Sequence, residues 1–266
     1  MKKNRLAIYV SSPNSYQDIF KVYYECLKKF FSDCPYEVIL TTNSQEYEGI
    51  TVINNYISDD SWTDRTIPVL KTLNVEYILL MNDDTFFAKK VDVESIEAVL
   101  DEMDKNKIDF CNLSLKFPGK SVKESKYLKY IHQRQAYGIL LQMGIFRRDF
   151  LIKLLGNGEK SIYDIEKELL FEALNAPNKY FDNIVSCKYD LIPSIHGVKS
   201  GKWIRYSYNK LKRLGIKIDS KRNKLSFREE LNYHIRRGIG TYINPKLRLK
   251  IKMLLKRVGF KFNSDY

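Results

Sequence analysis

An apolar run, Tyr77-Ile78-Leu79-Leu80-Met81, ends abruptly in Asn82-Asp83-Asp84, and Thr85-Phe86-Phe87 follows at once. Adjacent carboxylates against a buried strand repel each other and are costly to desolvate, so the pair calls for a cation. Hard oxygen ligands suit Mg²⁺ or Mn²⁺, which bridge one or two carboxylates to the phosphates of a substrate. An exposed Asn-Asp-Asp turn explains the same three residues without chemistry. A second acidic pair, Asp164 and Glu166, opens a helix after Ser161. Ser161 and Asp164 have the spacing of a capping box, which accounts for Asp164 and leaves Glu166 unexplained. A third group is Ser194-Ile195-His196-Gly197-Val198-Lys199-Ser200-Gly201-Lys202-Trp203, where a histidine and two lysines sit among glycines that permit a hinge. A lone histidine is as readily structural as functional.

The elements that must position these residues alternate. Leu6 to Ser11 reads as a strand, Tyr16 to Phe31 as a helix, Tyr36 to Leu40 and Thr51 to Ile53 as strands. A helix from Thr63 to Leu73 follows, with Pro68 in its first turns or at a kink. Then come the Tyr77 strand, a helix over Val93 to Lys105 and a strand over Phe110 to Leu113. This order predicts an α/β fold, Rossmann-like, with a mostly parallel sheet flanked by helices. Ser11, Ser12, Thr42 and Asn82 to Asp84 then fall at strand C-terminal ends, where such sheets bind ligands. Beyond residue 113 the pattern predicts a loop or lid with short helix over Lys116 to Arg134. A strand over Ala136 to Phe146, a helix over Arg148 to Leu155 and a helix from Ser161 to about Leu174 complete it.

Composition supports a folded chain of 266 residues, 44% apolar and 13% aromatic. Four scattered cysteines read as reduced thiols with no metal spacing. The basic start, Met1 to Arg5, precedes an apolar stretch too short for a signal peptide, and no run spans a membrane. The net charge of +13 is uneven: residues 205–266 hold 18 Lys and Arg against 4 Asp and Glu, leaving 27 against 28 in the first 204. We therefore expect a body over 1–204 and a basic, mainly helical extension over 205–266. Within the latter, Leu247, Ile251, Leu254, Leu255 and Val258 share one helical face, as in a helix lying on a membrane or docked on the body.

Taken in order, the βα repeats, Ser61-Trp62-Thr63 with Arg65, Glu76 to Asp84, Tyr163-Asp164-Ile165-Glu166 and Gly201-Lys202-Trp203 resemble bacterial GT-A-type glycosyltransferases. The closest kin are those of capsule, O-antigen, lipopolysaccharide and other surface-polysaccharide synthesis. The resemblance spans roughly residues 5 to 205. It implies a GT-A fold and transfer of a sugar from a nucleotide-sugar donor to a hydroxyl of a glycan or lipid-linked acceptor. It also implies a divalent metal, Mn²⁺ or Mg²⁺, on the donor diphosphate. Asn82-Asp83-Asp84 stands where the family has Asp-x-Asp, so Asp84 matches its second acid and Asp83 its middle position. By the same resemblance, Ser11, Ser12, Thr42, Trp62, Arg65, Asn82 and Asp83 line the donor site. Glu166 is the favoured base, with Asp164 the other candidate, His196 supplies a metal ligand, and Lys199 and Lys202 neutralise the diphosphate. Such an enzyme works in the cytoplasm, peripheral on the membrane, with an anionic bilayer as partner and no nucleic acid. Two other classes compete. A basic nucleic-acid-binding protein fits the tail but lacks any RNA- or DNA-binding signature, and a non-catalytic GT-A-like scaffold fits the loss of Asp at 82.

Overall fold

The computed structural model describes residues 5–55, 61–113, 117, 119–133, 135–175, 183–242 and 254. They form two compact units, residues 1–224 and 225–266.

The first unit begins with β1 (Leu6–Ser11), α1 (Gln17–Phe30), β2 (Glu37–Thr42), β3 (Thr51–Asn54) and α2 (Trp62–Thr72). It continues through β4 (Tyr77–Asn82), β5 (Thr85–Phe87), α3 (Val93–Lys105), β6 (Phe110–Asn112), β7 (Leu128–Tyr130) and β8 (Met143–Arg147). α4 (Arg148–Leu155), α5 (Ile162–Asn175), β9 (Ile184–Cys187), β10 (Ser194–His196), β11 (Val198–Lys199), β12 (Lys202–Trp203) and α6 (Arg205–Arg213) complete it. The second unit contains α7 (Phe227–Tyr242). The main sheet has the order β3-β2-β1-β4-β8-β6-β9-β7. Six strands run one way and two, β8 and β7, run against them, a mostly parallel, Rossmann-like sheet of GT-A type.

Alternation along the central strands builds a core on each face. Leu6, Ile8 and Val10 of β1, with Tyr77, Leu79 and Met81 of β4, pack with α1 and α3. Ala7 and Tyr9, with Ile78 and Leu80, pack with α2, α4 and α5. A strand covered on both faces must be apolar at every position, hence the uninterrupted run before Asn82. Each fully buried aliphatic side chain in it contributes about 1.5–3 kcal/mol. Direction reverses between β1, which leads outward to β2 and β3, and β4 on its other side. This is the switch point at which open α/β sheets leave a crevice.

Two expectations change. Ala136 to Phe146 is a strand only from Met143; before it the chain makes successive turns, Gln135 N to His132 O and Gly138 N to Gln135 O. Ala136, Ile139, Leu140 and Leu141 are buried there one by one, so an apolar run mimics a strand. Over 116–134 the described residues hold no helix but the edge strand β7, because Leu128 and Tyr130 pair with Cys187 and Val185 of β9. Pro68 lies seven residues into α2, on its exposed face, and the helix runs on for four more. The first compact unit runs on to residue 224: α6 buries Ser207 and Leu211, and Ile216 joins the core.

At the sheet edge where β1 and β4 begin, Asp104 accepts from Tyr77 Oη at 2.5 Å and from Arg5 Nη2 at 2.7 Å, while Arg147 Nη1 reaches Glu76 at 2.7 Å. These charges are paired and structural. The opposite edge carries the adjacent carboxylates Asp83 and Asp84.

Candidate active site

β1, β2 and β4 deliver Ser11, Thr42 and Asn82 to one edge in register, Ser11 opposite both Thr41 and Asn82. The next residues turn over that edge. Ser12 N donates to Thr41 O at 2.9 Å, and Ser12 Oγ donates to Asp83 Oδ2 at 2.6 Å. Thr42 is buried and accepts from Gln45 Nε2 at 2.9 Å, with Gln45 also reaching Asn14 Oδ1 at 3.3 Å. Asp83 is therefore turned into the protein and nearly sealed, at 9% exposure. Burial, then the neighbouring Asp84 carboxylate, push it up to about 7, against the pull of the Ser12 hydroxyl and the Arg222 guanidinium.

Asp84 faces the other way. Its Oδ2 lies 3.1 Å from His196 Nε2, and its Oδ1 is buried without a hydrogen-bond partner among the described residues. A short ribbon makes this meeting: β5 pairs antiparallel with β10, Thr85 opposite His196. Gly197 N then donates to Asp84 O at 2.7 Å. Only glycine fits at 197, since a Cβ would stand 2.0 Å from the Phe86 ring. Gly201 and Ser200, with φ of 74° and 51°, make the two-residue turn of the β11–β12 hairpin. That hairpin sets Lys199 directly opposite Lys202, so the two lysines share one face.

A cleft of about 150 Å³ opens between these elements, lined by Ser11, Asn82, Asp83, Asp84, Trp62 and Ile162 among others. Trp62 and Ile162 are the first residues of α2 and α5. Each helix begins with the same capping box, Ser61 with Asp64 and Ser161 with Asp164. The two starts are laced together: Thr63 N donates to Lys160 O at 3.2 Å and Glu159 N to Asp64 Oδ1 at 2.9 Å. The buried Trp62 Nε1 finds no acceptor among the described residues and forms part of the cleft wall. Arg65, one turn into α2, is half-buried, and its carbonyl accepts from Asn55 Nδ2 at 2.9 Å.

Asp164 is exposed and occupied by Ser161, whose hydroxyl and N–H hold it below the usual carboxylate range. Glu166 lies one turn beyond Ile162 on the same side of α5. It is half-buried and accepts from Leu141 N at 3.0 Å. Burial pushes its carboxyl up, against that N–H.

One participant went unnoticed in the sequence. Arg222 chelates Asp18 with Nε and Nη2, each at 2.9 Å, and bonds Ser15 O; Ser220 Oγ reaches Asp18 at 2.5 Å. Together they hold Asp18 below its ordinary range although burial opposes it. This lays residues 220–222 across the β1–α1 loop, with Arg222 facing Asp83 electrostatically. Among 18 cations in the last 62 residues nothing in the sequence marks this one.

The residues present fit a divalent cation on one condition. Among the described residues no group of three His, Cys, Asp or Glu could hold a metal ion. Asp84 Oδ1 and His196 supply two ligands at most, so the remaining positions belong to water and to phosphate oxygens of a ligand. Asp83, committed to Ser12, stands behind them.

No protein-family model and no curated protein matches this chain. Solved structures do. Residues 1–349 of S. aureus TarS in complex with UDP-GlcNAc align over 91% of this chain and 77% of that one, with a TM-score of 0.50 at 12% identity. The two share a fold. A longer S. aureus TarS structure aligns with a TM-score of 0.49 at 14% identity, and the chain spans 46% of its length. A putative nucleotide-diphospho-sugar transferase from Desulfovibrio desulfuricans G20 aligns over 64% of this chain with a TM-score of 0.37 at 9% identity.

Proposed function

We propose that the protein is a glycosyltransferase that moves a sugar from a nucleotide-sugar donor to a hydroxyl of a polysaccharide or lipid-linked glycan. The observation that carries this reading is Asp84, a carboxylate at the switch point of a GT-A-like sheet with one oxygen buried and unpartnered beside His196. The shared fold with a protein crystallised with UDP-GlcNAc supports it and favours a uridine nucleotide.

In this reading the nucleoside lies over Ser11, with Ser12 and Thr42 buried beneath as supports, and the diphosphate over Asp84. Arg65, Lys199 and Lys202 hold the charge that grows on the departing diphosphate, an electrostatic contribution of several kcal/mol in a water-poor cleft. Asp84 and His196 would hold a Mn²⁺ or Mg²⁺ ion, which would supply Lewis-acid stabilisation of that leaving group. Glu166 takes the acceptor hydroxyl's proton as its oxygen attacks the anomeric carbon and the sugar–phosphate bond breaks. Burial raises its affinity for a proton, the direction a general base needs.

The acceptor remains glycan-like in this proposal, and the site of action is the cytoplasmic face of an anionic membrane. Among the described residues no helix is long and apolar enough to cross a membrane. The segment 246–260 that carries the apolar stripe lies outside the described residues, apart from Leu254, which is helical and exposed. Calorimetric titration with UDP and a panel of UDP-sugars, with and without Mn²⁺, tests the reading, read beside donor hydrolysis. Binding should need the divalent ion and disappear in Asp84→Ala while the fold persists. A variant that keeps wild-type affinity and hydrolysis would overturn it; DNA binding in place of nucleotide-sugar binding would favour the nucleic-acid alternative.

A further inference from the structure

A second concavity, of about 240 Å³, opens at the same sheet edge beyond β5 and β10. Its floor is buried and apolar, Cys187 at the end of β9 and Leu191. Around the rim stand Lys90, Lys126, Tyr127, Tyr189 and Asp190, with Ser95 from the first turn of α3. Tyr189 is 61% exposed, and Tyr127 is half-buried, packing against the core while it also lines the hollow. Aromatic rings left beside a polar-rimmed hollow mark an interaction site.

Chemistry narrows the ligand. Two lysines and two aspartates, Asp92 and Asp190, leave no net field to attract a strongly anionic group. Asp92 is already bound to the backbone of Glu94 and to Ser95 Oγ, at 3.1 and 2.6 Å, and Lys90 to Asp33 at 3.4 Å. A flat apolar ligand would strip water from the Lys126 ammonium and the phenol hydroxyls without replacing it. A molecule with both C–H faces and many hydroxyls satisfies rings, donors and acceptors together. That molecule is a pyranose.

Position narrows it further. The β5–β10 ribbon joins the hollow to the candidate active site: Thr85 and His196 end it beside Asp84, and Ala88 N bonds Pro193 O where the hollow begins. Three residues of strand span about 10 Å. We infer that this hollow binds a saccharide unit of the acceptor chain, away from the hydroxyl that reacts. The inference rests on the transferase reading for the word acceptor, and on the hollow's own chemistry for the word saccharide.

The probe is a printed array of bacterial oligosaccharides, overlaid with fluorophore-labelled full-length protein. Wild-type protein should bind a subset of the array. Tyr189→Ala and Lys126→Ala, both at exposed positions, should each weaken that binding about tenfold, the equivalent of 1.4 kcal/mol. Asp84→Ala should leave it unchanged. No array binding by the wild type overturns the inference, as does binding that needs Asp84 and ignores Tyr189, because the saccharide then sits in the donor cleft. Failure of the protein to bind any nucleotide sugar would sink the transferase reading while an intact, Tyr189-dependent array signal still stood.

Discussion

The two neighbouring aspartates are held in opposite ways, and substitution should separate them. Asp83 is buried behind Ser12 with its carboxyl pushed up to about 7 from an ordinary 3.8. A raised carboxyl means the folded state binds the proton more tightly than the unfolded state. Folding is therefore unpenalised below the unfolded value and loses stability as pH rises through the window from 3.8 to about 7. Above that window the cost is on the order of 4 kcal/mol, at 1.36 per pKa step. Asp83→Asn keeps an acceptor for Ser12 and removes the charge. It should raise Tm at pH 8 and change it little at pH 4 in thermal scans; an equal shift at both values would show that burial of the charge is not what costs. On α5 the pair to compare is Glu166 and Asp164. Glu166→Gln preserves shape but takes no proton, so turnover should fall roughly 10²–10⁴-fold with donor affinity kept. Asp164→Asn should lower Tm through its cap and spare turnover. The reverse pattern in steady-state kinetics would make Asp164 the base. The positions of these carboxylates were readable from sequence because apolar runs and caps are local patterns. The pairing of Asp84 with His196 was readable only by resemblance, and the Arg222–Asp18 contact not at all, since nothing local ties residue 222 to residue 18.

Between residues and molecule, the element that matters most is the β5–β10 ribbon. Two three-residue strands make no independent structure, and here Gly197 lets the chain leave the ribbon flat against Phe86, which itself stacks 5.7 Å from Trp203. Gly197→Ala drives a methyl into that ring. The overpacking should cost about 1–3 kcal/mol, and because Gly197 N holds Asp84 O, nucleotide affinity should fall with it. Calorimetry on Gly197→Ala beside Gly201→Ala separates the effects, since alanine at 201 makes only an ordinary contact, 3.8 Å from Arg222 Nη1, and strains the turn. A Gly197→Ala protein with unaltered affinity would mean the ribbon does not set the site. The same scale explains what the sequence concealed. The parallel core, β3-β2-β1-β4, follows from βα alternation. β8 does not, because it enters antiparallel between β4 and β6 and fits only through Gly144, where a Cβ would lie 2.4 Å from the Phe110 ring. A close approach of that kind belongs to tertiary packing and leaves no periodic trace.

Across the whole chain, charge is sorted along its length, with the excess of Lys and Arg confined to residues 205–266. Each such residue near an anionic bilayer is worth about 1 kcal/mol. The full chain should sediment with phosphatidylserine-containing vesicles at low salt and release as salt screens the attraction. Equal sedimentation with neutral vesicles, or none with either, would remove the membrane from the proposal. Part of that charge is already spent inside the first compact unit, where Arg222 binds Asp18, so truncation near residue 225 is a cleaner cut than one near 205. The candidate site is also scattered along the chain. Ser12 meets Asp83 across 71 positions, and Arg222 meets Asp18 across 204. On the ribosome, β5 must therefore wait for residues 194–196 before it has a strand partner; Phe87 can already pack on Tyr23 and Phe31 of α1, while Phe86 waits for Trp203. A chain that stalls or is clipped before His196 holds the cleft lining through Ile162 but leaves Asp84 without its imidazole, so the candidate site is completed only as the first compact unit nears its end.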